Sequence, residues 1–110
     1  MSFSIRPYRR VPVCCPVTYH AGLSEGYGTV WNFSLTGWRF SGDVPMQPGE
    51  TRSLNVKLPN EPSMEVLEAV VRWTRHQEYA VETPTMNPHT RTRLRNYLNQ
   101  LVREATEIIL

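Results

Sequence analysis

Val11-Pro12-Val13-Cys14-Cys15-Pro16-Val17-Thr18-Tyr19 alternates residue by residue, with Val11, Val13, Cys15, Val17 and Tyr19 on one side of an extended chain and Pro12, Cys14, Pro16 and Thr18 on the other. Period two marks a half-buried β-strand, because successive side chains of an extended backbone point to opposite faces. Pro12 and Pro16 have no N–H to give to a neighbouring strand, so this strand is expected at a sheet edge or at a strand start. Downstream, Ala21 to Gly28 carries Gly22, Ser24, Gly26 and Gly28 and reads as a hairpin-type loop. Thr29 to Asn32 and Gly37 to Ser41 then read as short strands. The polar turn from Asn32 to Gly37 joins them and ends in a residue that tolerates positive φ.

Further along, Asp43 to Glu50, with Pro45, Pro48 and Gly49, makes a second connection. Leu54, Val56 and Leu58 alternate with Ser53, Asn55 and Lys57 in an expected strand from Arg52 to Leu58, which Pro59 to Pro62 interrupts. Met64 to Trp73 and Glu78 to Thr83 form a final hairpin around Arg75 to Gln77. About six short strands with regular turn signals predict a small antiparallel barrel or sandwich. After Pro84 the period changes. Leu94, Tyr97, Leu98, Leu101, Val102, Ala105 and Ile108 recur at helical spacing, while Arg93, Asn96, Asn99, Gln100, Arg103 and Glu107 take the other face. Asn87 and Pro88 suit the N-cap and first helical position, so the chain ends in an amphipathic helix of about five turns. Its apolar stripe needs a partner, either the barrel or a second copy of the chain, which leaves a homodimer open.

Composition bounds the rest. Of 110 residues, 40% are apolar and 20% charged, enough to build one core and too few for two domains. No apolar run approaches the ~20 residues that span a bilayer, and the N-terminus lacks the apolar centre of a signal peptide. No membrane insertion is expected. Adjacent Cys14 and Cys15 do not suit a relaxed disulfide and point to a reducing, cytoplasmic setting. The net charge of +2 is small, yet every charge before Glu25 is positive and comes from Arg6, Arg9 and Arg10. Long-range steering onto nucleic acid is therefore not expected, and the arginine cluster is either a solvated arm or a local anion site.

Two short patterns carry chemistry. Arg6-Pro7-Tyr8-Arg9-Arg10 gives an R-x-x-x-R spacing just before the first strand, and Asn32-Phe33-Ser34-Leu35-Thr36-Gly37 gives N-x-S-x-x-G between two strands. A guanidinium binds phosphate through fixed donors and stacks on flat rings, so an arm bearing several suits a phosphodiester-linked nucleotide. Asn and Ser in a turn present short polar side chains that can read the edge of a base.

R-x-x-x-R before the first strand and [D/N]-x-S-x-x-G after the second together resemble the paired signature of PilZ domains, bacterial receptors for cyclic di-GMP. Val70-Val71-Arg72-Trp73 and Tyr79-Ala80-Val81-Glu82 extend the resemblance over nearly the whole chain. It implies a six-stranded antiparallel β-barrel with a C-terminal α-helix in one domain spanning 1–110, with an arginine arm over 1–10, the barrel over 11–84 and the helix over 87–109. It further implies that Arg6 and Arg10 hold the ligand's phosphates and guanine faces, that Asn32 and Ser34 hydrogen-bond a guanine, that Gly37 shapes the turn, and that Arg9 is an auxiliary contact. The implied function is binding, not catalysis: cyclic di-GMP is the ligand, an effector protein is the partner, and motility or biofilm formation is the regulated process. Two positions depart from the family's commoner choices, Asn32 for Asp and Ala80 for Gly.

Other chemistries find less support. His20, His76, His89, Cys14 and Cys15 lack zinc-ligand spacing, and no paired carboxylates, nucleophile beside a base or phosphate-cradling glycine loop occur. No metal or cofactor is expected. Trp31, Trp38 and Trp73 read as core or barrel-edge residues, although Trp73 or Trp38 could flank a bound base. The alternatives are a PilZ-like adaptor in motility or pilus assembly that binds no nucleotide, and a small barrel for single-stranded nucleic acid, against which the sparse positive charge outside the arm argues.

Overall fold

The computed structural model describes residues 11–109, with side chains as far as residue 104. The alternation that begins at Val11 runs on through β1 (Val11–Ala21) and is followed by β2 (Ser24–Phe33), β3 (Gly37–Gly42), β4 (Thr51–Val56), β5 (Met64–Arg75), β6 (Glu78–Glu82) and α1 (Pro88–Ile109). The strands form a closed barrel in the order β1-β2-β3-β6-β5-β4, every pairing antiparallel. The expected mainly-β architecture, six antiparallel strands and a C-terminal helix, is what the chain adopts.

Three local expectations need correction. The first hairpin loop is far shorter than Ala21 to Gly28: Gly22 and Leu23 alone make the turn, and Ser24 to Gly28 belong to β2. Gly22 has φ 67°, the left-handed conformation a tight two-residue loop requires. Gly26, by contrast, serves proximity, because a Cβ there would run into the Tyr19 ring. Second, β1 is not an edge strand. It pairs with β2 along its length and with β4 through Val17, Thr18 and Tyr19. The prolines fit because Pro12 sits at the strand start beside a bulge, and Pro16 precedes the β4 ladder and gives only its carbonyl, to Lys57 N at 3.0 Å. Third, of the tryptophans only Trp38 is core, and being fully buried it is not placed to flank a base, whereas Trp73 is 36% exposed on the outer face and Trp31 is half-buried there.

Inside the barrel, Trp38, Tyr19, Phe33 and Phe40 are fully buried with Val30, Leu54, Val56, Met64 and Val71. At one end the Tyr19 and Phe40 rings lie 5.4 Å apart and Phe40 and Tyr79 5.6 Å apart. The Tyr19 hydroxyl donates to Val44 O at 2.6 Å and accepts from Val44 N at 2.8 Å, which satisfies the polar tip of a ring with no exposed surface. At the other end Phe33 meets Trp38 edge-on at 5.0 Å and Tyr97 of α1 at 6.4 Å. Asn87 Oδ1 accepts from His89 N at 2.8 Å and caps the helix, and Leu94, Tyr97 and Leu98 are buried. Over this stretch the partner of the apolar stripe is the barrel itself. Arg93 secures the β4–β5 connection by donating to Pro62 O at 2.6 Å and Ser63 O at 3.2 Å.

Replacing Tyr19 with Phe keeps the ring and removes the hydroxyl that serves both Val44 groups. The expected cost is about 1–3 kcal/mol, read as a lower urea midpoint with an unchanged m-value. A second expectation concerns alkali. Burial pushes the Cys15 thiol and the Tyr19 and Tyr97 phenols above their ordinary ranges. The unfolded chain therefore loses these protons first as pH rises. Their contribution is intact at neutral pH, and stability falls from about pH 9 upward as the unfolded groups ionise. Urea midpoints measured between pH 7 and pH 11 should show that fall, and Tyr97→Phe should flatten it.

Candidate functional site

The turn after β2 is built around Ser34. Its hydroxyl accepts from Gly37 N at 3.0 Å and Thr36 N at 3.3 Å and donates to Gly37 O at 2.9 Å. Ser34 N also donates to Gly37 O at 2.8 Å, and Thr83 N to Thr36 O at 2.9 Å, which fastens the turn to the end of β6. Ser34 is 1% exposed, so its side chain is engaged inside the turn and does not project from it. Gly37 differs from expectation in its reason for being glycine. Its φ is not positive, but a Cβ would lie 2.8 Å from Val81 O on β6. The close approach of the two backbones demands glycine there, not a left-handed reversal.

Asn32 owes its direction to a β-bulge. Val30 and Phe33 both point inward, separated by two residues, and the β2–β3 register shifts between Val30 and Asn32. A bulge adds one residue to a strand and re-aims its neighbours, so Trp31 and Asn32 both turn to the outside. The same happens on β5, where the register shifts between Val71 and Trp73 and places Arg72 and Trp73 outside together.

A single row then crosses the barrel wall. Asn32 pairs with Arg39, Arg39 with Ala80, and Ala80 with Trp73. Arg39 faces outward because Trp38 and Phe40 on either side of it are fully buried. Its guanidinium carbon lies 5.9 Å from the Trp31 ring centre and 5.4 Å from that of Trp73, a cation held between two indoles. Ala80 beneath them is 5% exposed, its small side chain roofed by the larger ones. Arg72 pairs with Glu82 at 3.2 Å beside this row.

Of the residues expected in the site, the structure places Asn32 at the end of β2, Ser34 in the turn that follows and Gly37 at the start of β3, so the turn is shorter than the expected span from Asn32 to Gly37. Arg6, Arg9 and Arg10 lie outside the described residues. Arg39 and its two tryptophans were not among the expected site residues. Period two in Gly37-Trp38-Arg39-Phe40 does place Arg39 on the outer face, but the bulges that bring Trp31 and Trp73 beside it leave no mark in the alternation. A groove of about 810 Å³ between β5 and the start of α1 is a poorer place for an anion, since Glu65 and Glu68 line it together with Met86 and His89. Among the described residues no group of three His, Cys, Asp or Glu side chains is arranged to hold a metal ion, and no helix is long and apolar enough to cross a membrane.

Comparison with known proteins agrees with this architecture. No curated protein matches the chain. Among solved structures, the Bacillus subtilis inhibitor of motility, MotI/DgrA, is similar with a TM-score of 0.73 and 22% identity, over 93% of this chain and 51% of that one. The chain thus spans about half the length of that protein, and the likeness is one of fold. The family model of the PilZ domain matches residues 4–100, a stretch that includes Arg6, Arg9 and Arg10, the Ser34 turn and the whole barrel. The chain belongs to the PilZ domain family.

Proposed function

We propose that this PilZ domain is a receptor for cyclic di-GMP, bound between the arginine arm and the outer face of the barrel beside the Ser34 turn, and that binding is reported to a protein partner in the control of motility. The observation that carries the reading is the coincidence of family membership over residues 4–100 with a bulge at the end of β2 that turns Asn32 out of the barrel wall just before the Ser34 turn. PilZ domains are regulatory binding domains, and the proposed chemistry is recognition without turnover. The motility assignment draws on the structural likeness to a protein whose name is inhibitor of motility.

Each residue has a part that its chemistry suits. Arg6 and Arg10, with Arg9 as an auxiliary, supply charge-assisted donors to the phosphodiesters and flat cations to the bases. Asn32 offers an amide that both donates and accepts at a base edge. Ser34 acts from within: by closing on Gly37 and Thr36 it fixes the turn that follows the strand end bearing Asn32. Gly37 lets β3 approach β6 at that point. No additional cofactor takes part. The protein works in the cytoplasm, where a cyclic dinucleotide messenger is made.

A second reading keeps the fold and drops the nucleotide: an adaptor that binds protein through its barrel or helix. The complete engagement of the Ser34 hydroxyl inside the turn favours it. Isothermal titration calorimetry with cyclic di-GMP, and with GTP and cyclic di-AMP as controls, separates the two. Saturable, guanine-selective binding is expected, and Arg6→Ala or Arg10→Ala should each weaken it by roughly ten-fold to a hundred-fold, the worth of one charge-assisted contact. No heat and no competition at high-micromolar nucleotide would overturn the receptor reading and favour the adaptor, and parent-like binding by both variants would remove the arm from the site.

A further inference from the structure

We propose that Arg39 is a base-selecting residue of this site, donating to N7 and O6 on the Hoogsteen edge of a guanine laid against the outer wall, and that Trp31 and Trp73 are the positioning residues that hold its guanidinium for that task. The inference rests on the cyclic di-GMP reading above and names what would distinguish guanine from adenine there.

Arg39 stands directly across the ladder from Asn32, so whatever meets the outward side of the turn also meets Arg39. Its guanidinium is restrained on two sides, 5.9 Å from the Trp31 ring centre and 5.4 Å from that of Trp73. A freely rotating arginine must give up much rotamer freedom to form a fork of hydrogen bonds, and one already packed against two rings gives up less. Nor is it occupied elsewhere. Its Nε is buried with no hydrogen-bond partner among the described residues, and Glu82, two positions from Ala80 on β6, is taken by Arg72 at 3.2 Å. Between Arg39 and Trp73 the wall carries Ala80, a side chain too small to hold the guanidinium and the indole apart.

The arrangement is selective because of where donors and acceptors lie. The guanidinium has only donors, and the Hoogsteen edge of guanine offers two acceptors, N7 and O6, at matching spacing. Adenine replaces O6 with an amino donor and so opposes one arm of the fork. Flat indoles beside the arginine accept a base by stacking whatever its identity, and the discrimination falls to Arg39.

Substituting carbon for N7 in the ligand tests this without relying on the variant's overall stability. Dissociation constants for cyclic di-GMP and its 7-deazaguanine analogue are measured by calorimetry with the parent, Arg39→Ala, Arg39→Lys and Trp73→Ala. The parent should bind the analogue about ten-fold more weakly or worse, the usual range for losing part of a bidentate base contact. Arg39→Ala should bind both nucleotides alike and more weakly than the parent binds cyclic di-GMP, because a pairwise contact is lost only once. Lysine keeps the charge without the fork and should not restore the difference, and Trp73→Ala should shrink it. Equal binding of the two nucleotides by the parent, or the parent's ratio surviving in Arg39→Ala, would overturn the assignment of Arg39 while leaving the receptor reading intact. A parent that binds neither nucleotide would overturn both.

Discussion

Closing six strands on themselves requires the interior to be filled from every wall at once, and the aromatic column of Tyr19, Phe40 and Tyr79 meets that requirement at one end of the barrel. The three rings come from β1, β3 and β6, strands that are far apart in sequence, and each ring pair adds about 0.5–1.5 kcal/mol beyond the area it buries. The Tyr19 hydroxyl reaches past the column to both backbone groups of Val44, which ties the chain leaving β3 to β1. Glycine at positions 26 and 42 makes room for that ring, since a Cβ at either would strike it. The other end is filled by Phe33 and Trp38 and covered by Tyr97 of the helix. With both ends packed and no free edge, the outer wall is a fixed surface on which side chains can be arranged.

The geometry of the candidate site is a by-product of that packing. For Val30 and Phe33 both to enter the core, the two residues between them must share the outside, so Trp31 and Asn32 emerge together. The displaced register on β5 does the same for Arg72 and Trp73. Bulges are energetically tolerable where the interior gains a large side chain, and here they set an amide, a guanidinium and two indoles along one row. The turn adds order by engaging its own polar groups, with Thr36 its exposed residue. Ser34 spends its hydroxyl on the backbone of Thr36 and Gly37, and Gly37 lets β3 lie against Val81.

Charge is distributed to the same effect. The pairs Arg52 with Glu50 and Arg72 with Glu82 are partly or well exposed to solvent, where such pairs contribute little to stability. Arg39 is held by aromatic faces in place of a carboxylate, so its charge is neither neutralised nor free to swing away. Phe33 lies next to Asn32 in the chain and against Tyr97 on the helix, so the turn and α1 rest on one packed side chain. The carboxylates of the groove beside α1 lie on β5, away from this row.

Alternation and turn residues alone made six strands and a terminal helix legible, because period two and period 3.6 follow from backbone geometry that each segment carries within itself. The Asn87 cap, the break after Leu58 and the existence of a turn between Asn32 and Gly37, though not its length, were readable for the same reason: each depends on neighbours within a few residues. What tertiary structure decided was everything set by strands meeting. Barrel closure paired both sides of β1 despite Pro12 and Pro16. Close packing of β3 on β6, and not a positive φ, made Gly37 necessary. Bulges forced by the core sent Trp31 and Trp73 outward around Arg39, which a strict alternation places without its companions. Register shifts arise from how inward side chains from distant segments share one volume, and no single segment holds that information.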